Sequence, residues 1–93
     1  MSDFIDQLFA TLQDRKNNPT PGSYTASLLA DGEDEIVKKI GEEAVEVILA
    51  AKSQGDQRVV EETADLVYHL LVLLVSRDLS WDDIRGELES RHQ

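Results

Sequence analysis

Two groups of acidic residues are spaced so that a folded chain could bring their carboxylates together. Glu42, Glu43 and Glu46 form the first group, and Glu62 and Asp65 form the second. Residues three or four apart share one face of a helix, where like charges repel by roughly a few tenths of a kcal/mol. Such a cluster either takes up protons, with raised pKa values, or binds a cation. Ligand sets made only of oxygen suit magnesium, manganese or calcium.

The second acidic group stands beside a strongly apolar segment. Glu62, Asp65 and His69 share a sector about 60° wide on a helical wheel. Residues 66–75 are otherwise apolar nearly all round, and a helix of that kind is buried on most sides. We therefore expect the acids at the edge of an apolar interior. His69 alone is more typical of a satisfied interior histidine than of a ligand, but its alignment with both acids favours a site.

Each acidic motif has an ordinary alternative explanation. A glutamate-rich helix is most often a solvated face, so neither motif alone identifies a site. Their occurrence on successive helices, each beside an apolar stripe, favours a metal site. Lys38 and Lys39 precede the first group by one turn and could flank a phosphate-bearing ligand. They could equally pair with Asp34 and Glu35 at i,i+4 spacing, and the sequence allows both uses.

Helical periodicity runs along most of the chain. Apolar spacing predicts helices over about 4–17, 33–53, 57–77 and 81–91, with a short helical turn over 24–30. Candidate capping residues precede three of the long helices, namely Ser2 or Asp3, Asp56, and Ser80 with Asp83 three residues on. Strand-type alternation persists nowhere. The predicted fold is all-α, a single small domain over 1–93 with about four helices.

Apolar faces of the two long helices predict an assembly. The helix over 33–53 is expected to present a stripe about 120° wide, made of Ile36, Val37, Ile40, Ala44, Val47, Ile48 and Ala51. The next helix offers more apolar surface than four short helices can cover, through Leu66, Val67, Leu70, Leu71, Leu73, Leu74 and Val75. The surplus predicts a helical-bundle homodimer.

Composition excludes several classes of protein. The 93 residues include 19 Asp plus Glu against 9 Lys plus Arg, for a net charge of −10, and no Cys. Strong negative charge argues against binding to nucleic acids or anionic membranes. The lack of Cys excludes disulfide scaffolds, thiolate zinc sites and cysteine nucleophiles. The longest apolar stretch is about half the length that a membrane-spanning helix needs, so we expect a soluble, cytoplasmic protein.

With these residues in view, the sequence resembles a known family. Glu42-Glu43-x-x-Glu46 followed by Glu62-x-x-Asp65 resembles the acidic motif of the all-α NTP pyrophosphatases, the MazG-like superfamily. Further stretches resemble the phosphoribosyl-ATP pyrophosphohydrolases of histidine biosynthesis, at 23–29, 38–47, 62–71 and 87–91. The resemblance implies a homodimeric enzyme that uses magnesium, with manganese as an alternative. It also implies hydrolysis of the α–β phosphoanhydride of 1-(5-phosphoribosyl)-ATP to phosphoribosyl-AMP and pyrophosphate.

The resemblance also implies roles for individual residues. Four positions match metal ligands, namely Glu43, Glu46, Glu62 and Asp65. Glu42 matches the remaining acid, which holds either a second ion or the attacking water, and we expect it to orient or deprotonate that water. Substrate contacts are expected at Ser23, Tyr24, Thr25, Lys39, His69, Arg15 and Lys16. Two alternatives stay open: a MazG-like house-cleaning (d)NTP pyrophosphatase with the same acids, and a non-catalytic helical dimerisation module whose acids serve only solubility.

Overall fold

The computed structural model describes residues 3–92, which form five α-helices and no β-strand. The helices are α1 (Phe4–Asn17), α2 (Tyr24–Asp31), α3 (Glu33–Ser53), α4 (Asp56–Ser76) and α5 (Trp81–Arg91). The predicted all-α fold is confirmed. The predicted turn over 24–30 is a regular eight-residue helix, which brings the number of helices from about four to five. Ser2, one of the candidate caps, lies outside the described residues.

Local hydrogen bonds at the helix N-termini explain most of the boundaries. Asp3 caps α1 and Ser80 caps α5, each in a capping box with the acid three residues on, and Ser23 caps α2. The prediction that Asp56 caps α4 is wrong, because Gly55 occupies the N-cap with φ of 91° and Asp56 lies in the first turn. Glycine adopts this left-handed backbone conformation without strain, and an acid in the first turn is favourable to the helix dipole.

The helices α3 and α4 form a hairpin, and their contact is the most extensive between any two helices of the described chain. Only Gln54 and Gly55 separate them, so they run antiparallel. The first helix packs on α4, and α2 contacts α1, α3 and α4. Their shared core consists of Phe9, Leu12, Leu28, Ile36, Leu71, Val72, Leu74 and Val75. Trp81 and Ile84 of α5 pack against its edge.

The apolar face of α3 differs from the predicted stripe. Ile36 and Ala50 are fully buried, whereas Val37 and Ile48 are 45% and 55% exposed. The sequence therefore predicted the wrong centre for the buried side of α3. The covered face instead follows positions 36, 40, 43, 47 and 50, and Glu43 lies on it. The apolar surface of α3 is wider than α4 alone can cover, so packing against α4 selects one part of it and leaves the rest exposed.

The C-terminal half of α4 lies at the centre of the core. Leu71, Val72 and Val75 are at most 2% exposed, while Leu70 on the other side of the helix is 36% exposed. This burial agrees with the apolar pattern of the segment. Within residues 3–92, no helix is both long enough and apolar enough to cross a membrane.

Candidate active site

Three carboxylates meet where α3 faces α4. Glu43, Glu62 and Asp65 each place one oxygen within 4.8 Å of the other two, and no other such group of three occurs among residues 3–92. Glu62 is 4% exposed, Glu43 is half-buried and Asp65 is exposed. The i,i+3 spacing puts Glu62 and Asp65 on one side of α4, and the covered face of α3 directs Glu43 toward them. The two acidic motifs of the sequence therefore converge.

Burial and neighbouring acids raise the pKa values of Glu43 and Glu46. Burial raises the pKa of Glu43, and the charge of Asp65 raises it further, while His69 acts in the opposite direction. The neighbouring carboxyl group of Glu62 is the main cause that raises the pKa of Glu46. Crowding of these acids therefore opposes their full ionisation, and a bound cation would relieve it.

The donor set fits a small hard divalent cation. Magnesium binds oxygen at about 2.0–2.1 Å, so two ligand oxygens on one ion lie about 3–4 Å apart. Separations within 4.8 Å approach these values. All three donors are carboxylate oxygens, which favours magnesium or manganese over ions that prefer nitrogen or sulfur ligands.

Two further predicted acids, Glu46 and Glu42, lie outside this group of three. Glu46 is exposed and lines a small cavity of about 140 Å³ with Leu49, Gln54 and Arg58. Its carboxyl group approaches that of Glu62. Glu42 is also exposed, and neither residue belongs to the tight group. Of the five predicted acids, the structure thus clusters three and brings Glu46 close to them, whereas Glu42 lies outside the cluster.

One charged residue of the site was missed by sequence reasoning. Arg58 lies in the first turns of α4, where its Nη1 is 2.6 Å from Oε1 of Glu61 and its Nη2 bonds the carboxylate of Glu62. The signal that could have found it is its spacing, three and four residues before those acids. Sequence alone did not distinguish this pairing from ordinary surface ion pairs.

Two side-chain hydrogen bonds fasten α2 to α4 beside the carboxylates. The hydroxyl of Tyr24 lies 3.0 Å from Nε2 of His69, and the hydroxyls of Thr25 and Tyr68 bond each other. His69 Nδ1 donates to the backbone carbonyl of Asp65 at 2.9 Å. A carbonyl only accepts, so Nδ1 carries a proton, and Nε2 pairs with the hydroxyl of Tyr24. His69 is therefore an interior histidine with both nitrogens satisfied.

Tyr24 presents an aromatic surface next to the acids. Its side chain is 53% exposed, and its ring stacks on that of Tyr68 with centroids 6.4 Å apart. Burial is the main cause that raises the pKa of the Tyr24 hydroxyl, and the positive charge of Lys39 opposes this shift. Lys39 and Tyr24 thus lie near each other. Lys39 is one helical turn from Glu43 along α3. Ser23, also predicted to contact substrate, serves here as the N-cap of α2.

Two cations that were predicted to contact the substrate, Arg15 and Lys16, lie at the end of the hairpin away from the carboxylates. Lys16 Nζ is 3.2 Å from the carbonyl oxygen of Val75 and 2.8 Å from Oδ1 of Asp78. Val75 is about 15 Å along α4 from Asp65, at 1.5 Å per residue. The adjacent Arg15 pairs with Asp14 at 3.3 Å. The structure therefore does not bring Lys16 to the carboxylates of its own chain.

Fold and site together define an all-α protein whose acidic centre is built from neighbouring helices of a hairpin. Comparison with known proteins identifies the family within this class. The profile of the family described as phosphoribosyl-ATP pyrophosphohydrolase matches residues 5–92, and the chain belongs to this family. It is therefore an enzyme of the hydrolase class.

Relatives named phosphoribosyl-ATP pyrophosphatase share about half of their residues with this chain. One from Pelotomaculum thermopropionicum is 52% identical over 91 residues, which cover 98% of this chain and 93% of the relative. One from Metallosphaera sedula is 48% identical over 91 residues, 98% of each chain. One from Clostridium botulinum strain Hall is 47% identical over 89 residues, 96% of this chain and 81% of the relative.

Proposed function

We propose that this protein hydrolyses 1-(5-phosphoribosyl)-ATP at the α–β phosphoanhydride, as the second step of histidine biosynthesis. The products are phosphoribosyl-AMP and pyrophosphate. The observation that carries the proposal is the convergence of Glu43, Glu62 and Asp65 in a chain of this family. A triphosphate can approach such an acidic site only with cations between the like charges. Magnesium is the proposed cofactor, with manganese as the alternative.

The proposed role of each carboxylate follows from its position. Glu43, Glu62 and Asp65 hold the ion, and Glu46 beside them supplies a further oxygen. When bound, the ion neutralises phosphate oxygens and makes water more acidic. Glu42 lies next to Glu43 but is exposed and outside the tight group, so its carboxylate remains free to orient the attacking water and accept its proton.

The substrate-facing side is formed by α2 and the start of α3. Lys39 supplies positive charge for the phosphate oxygens, and the exposed ring of Tyr24 supplies a flat apolar surface for the ribosyl-adenine part. Ser23 caps α2, while Thr25 and His69 tie it to α4. These three residues act in the proposal by positioning Tyr24. Arg15 and Lys16 make none of the proposed contacts within one subunit.

A homodimer is part of the proposal. Large apolar side chains are exposed on α3 and α4, namely Val37, Val45, Ile48, Leu49 and Val60. A groove of about 500 Å³ runs between α1 and α4, lined by Ile5, Leu8, Val59, Val60, Thr63, Ala64, Val67 and Tyr68. Apolar surface of this extent on a small chain supports an interface with a second copy.

The direct test measures pyrophosphate release by the purified protein. We expect turnover of phosphoribosyl-ATP with magnesium, loss of turnover in excess EDTA, and recovery when magnesium is restored. Full activity in the chelator would contradict the metal-dependent mechanism. A panel of dNTPs, assayed at the same concentrations, tests the substrate. Faster release from dNTPs than from phosphoribosyl-ATP would identify a house-cleaning pyrophosphatase, and no release from any substrate would leave only the dimerisation module.

A further inference from the structure

Arg58 forms an ion pair with one of the clustered carboxylates. Its guanidinium bridges two acids of α4, Glu61 at 2.6 Å through Nη1 and Glu62 through Nη2. The Glu62 side chain is 5% exposed, whereas that of Arg58 is 46% exposed. The cation therefore reaches in from solvent to a carboxylate that is otherwise buried.

Within the part of the chain that the structure describes, the clustered carboxylates have one direct counter-charge. Among residues 3–92, no other Lys or Arg forms an ion pair with Glu43, Glu46, Glu62 or Asp65. A buried carboxylate beside other carboxylates is unfavourable unless a cation compensates it. A divalent ion in the same group would compete with Arg58 for the oxygens of Glu62, and its charge would repel the guanidinium.

We propose that Arg58 is an exchangeable counter-ion of the metal site. It neutralises Glu62 while the site is empty, and it leaves Glu62 when a divalent cation binds. Glu61 sits at the exposed surface and retains the other side of the guanidinium, so Arg58 stays at the rim of the site. The inference rests on the proposed function, because it requires that Glu62 is a metal ligand.

Exchange of this kind has two opposite consequences. Arg58 stabilises the empty enzyme, because it relieves repulsion among the acids. It also weakens metal binding, because the ion must first displace it. Removal of Arg58 should therefore lower the melting temperature without metal and tighten the affinity for magnesium. A residue with a purely structural role would lower the melting temperature without tightening metal binding.

The test compares wild type, Arg58→Gln and Arg58→Lys in magnesium titrations by calorimetry, with melting curves in the absence of metal. For Arg58→Gln we expect a melting temperature lower by a few degrees and magnesium binding roughly three- to tenfold tighter. Lysine keeps the charge without the two-pronged geometry, so Arg58→Lys should fall between the two. Arg91→Gln is the matched control, because Arg91 pairs with Glu87 on the exposed surface of α5 at 2.8 Å. It removes the same net charge and should change neither quantity.

A second measurement uses the wild-type protein and does not depend on the stability of any variant. Nitrogen-15 NMR signals of the Arg58 side chain should show faster guanidinium rotation as magnesium saturates the site, while those of Arg91 stay unchanged. Equal or weaker magnesium binding by Arg58→Gln, or an unchanged Arg58 signal at saturation, overturns the exchange. Absence of magnesium binding by wild type is a different result, since it removes the metal site of the proposed function itself.

Discussion

The hydroxyl of Tyr24 lies 3.0 Å from Nε2 of His69, and this bond joins the first turn of α2 to the middle of α4. The other nitrogen of the same ring donates to the carbonyl oxygen of Asp65. One imidazole thus links α2 to the turn of α4 that carries an acid of the site. Because His69 is only 7% exposed, water has little access to replace a missing partner.

Replacement of Tyr24 by Phe should therefore destabilise the protein while keeping the aromatic ring. We expect the free energy of unfolding to fall by about 0.5–1.5 kcal/mol, the usual range for one hydrogen bond. Urea denaturation followed by circular dichroism measures this loss. A midpoint equal to that of wild type would show that the bond contributes nothing to the docking of α2.

A second link between helices should make stability depend on pH. Hydrogen bonding from Arg85 on α5 holds the pKa of Asp6 on α1 below its ordinary value, and Arg85 Nη2 lies 2.8 Å from Asp6 Oδ1. A pKa that is lower in the folded state contributes stability above the unfolded pKa, about 3.9 for Asp. That contribution is lost as pH falls through the folded value.

The matching experiment compares melting temperatures of wild type and Asp6→Asn between pH 3 and pH 7. The difference should be largest above about pH 5 and should shrink toward pH 3. Arg85→Met should show the same profile, because it removes the cation that depresses the pKa. A difference that is constant across the range would mean that the loss comes from the capping box of α1 rather than from charge.

Assembly can be tested on the exposed apolar surface of α3. Ile48 is 55% exposed in the single chain, so Ile48→Glu should leave the fold intact while placing a charge in the proposed interface. We expect sedimentation at micromolar concentration to show a dimer for wild type and a large shift to monomer for the variant. Ser90→Glu, at an exposed polar position on α5, adds the same charge and should remain dimeric. A monomeric wild type would contradict the proposed homodimer.

Much of the fold follows from local patterns in the sequence. The bounds of α3 agree with the predicted range of about 33–53. A long helix-favouring segment lies there between Gly32 and Gly55, where φ is 99° and 91°. The convergence of Glu43 with Glu62 and Asp65 also followed from helical spacing, since successive helices joined by two residues must pack side by side.

Tertiary packing decided what the sequence left open. The apolar surface of α3 spans more of the helix than α4 can cover, so periodicity could not tell that Ala50 is buried and Ile48 exposed. The pairing of Arg58 with Glu62 was equally hidden, because i,i+4 spacing is common on solvated helices. The Arg58–Glu62 pair differs from an ordinary surface ion pair only because Glu62 is buried beside Glu43, which the structure reveals.

Asp65 offers the sharpest separation of function from stability. It is the strongest of the neighbouring charges that raise the pKa of Glu43, so Asp65→Asn removes a repulsion in the empty site. The melting temperature without metal should stay equal or rise. Turnover should fall at least about 100-fold, because a lost ligand weakens charge stabilisation worth several kcal/mol. Pyrophosphate release and melting curves for Asp65→Asn, beside Asp31→Asn as a control at an exposed position on α2, measure both quantities. Near-normal turnover would show that Asp65 does not hold the ion, and a large loss of stability would make its role structural.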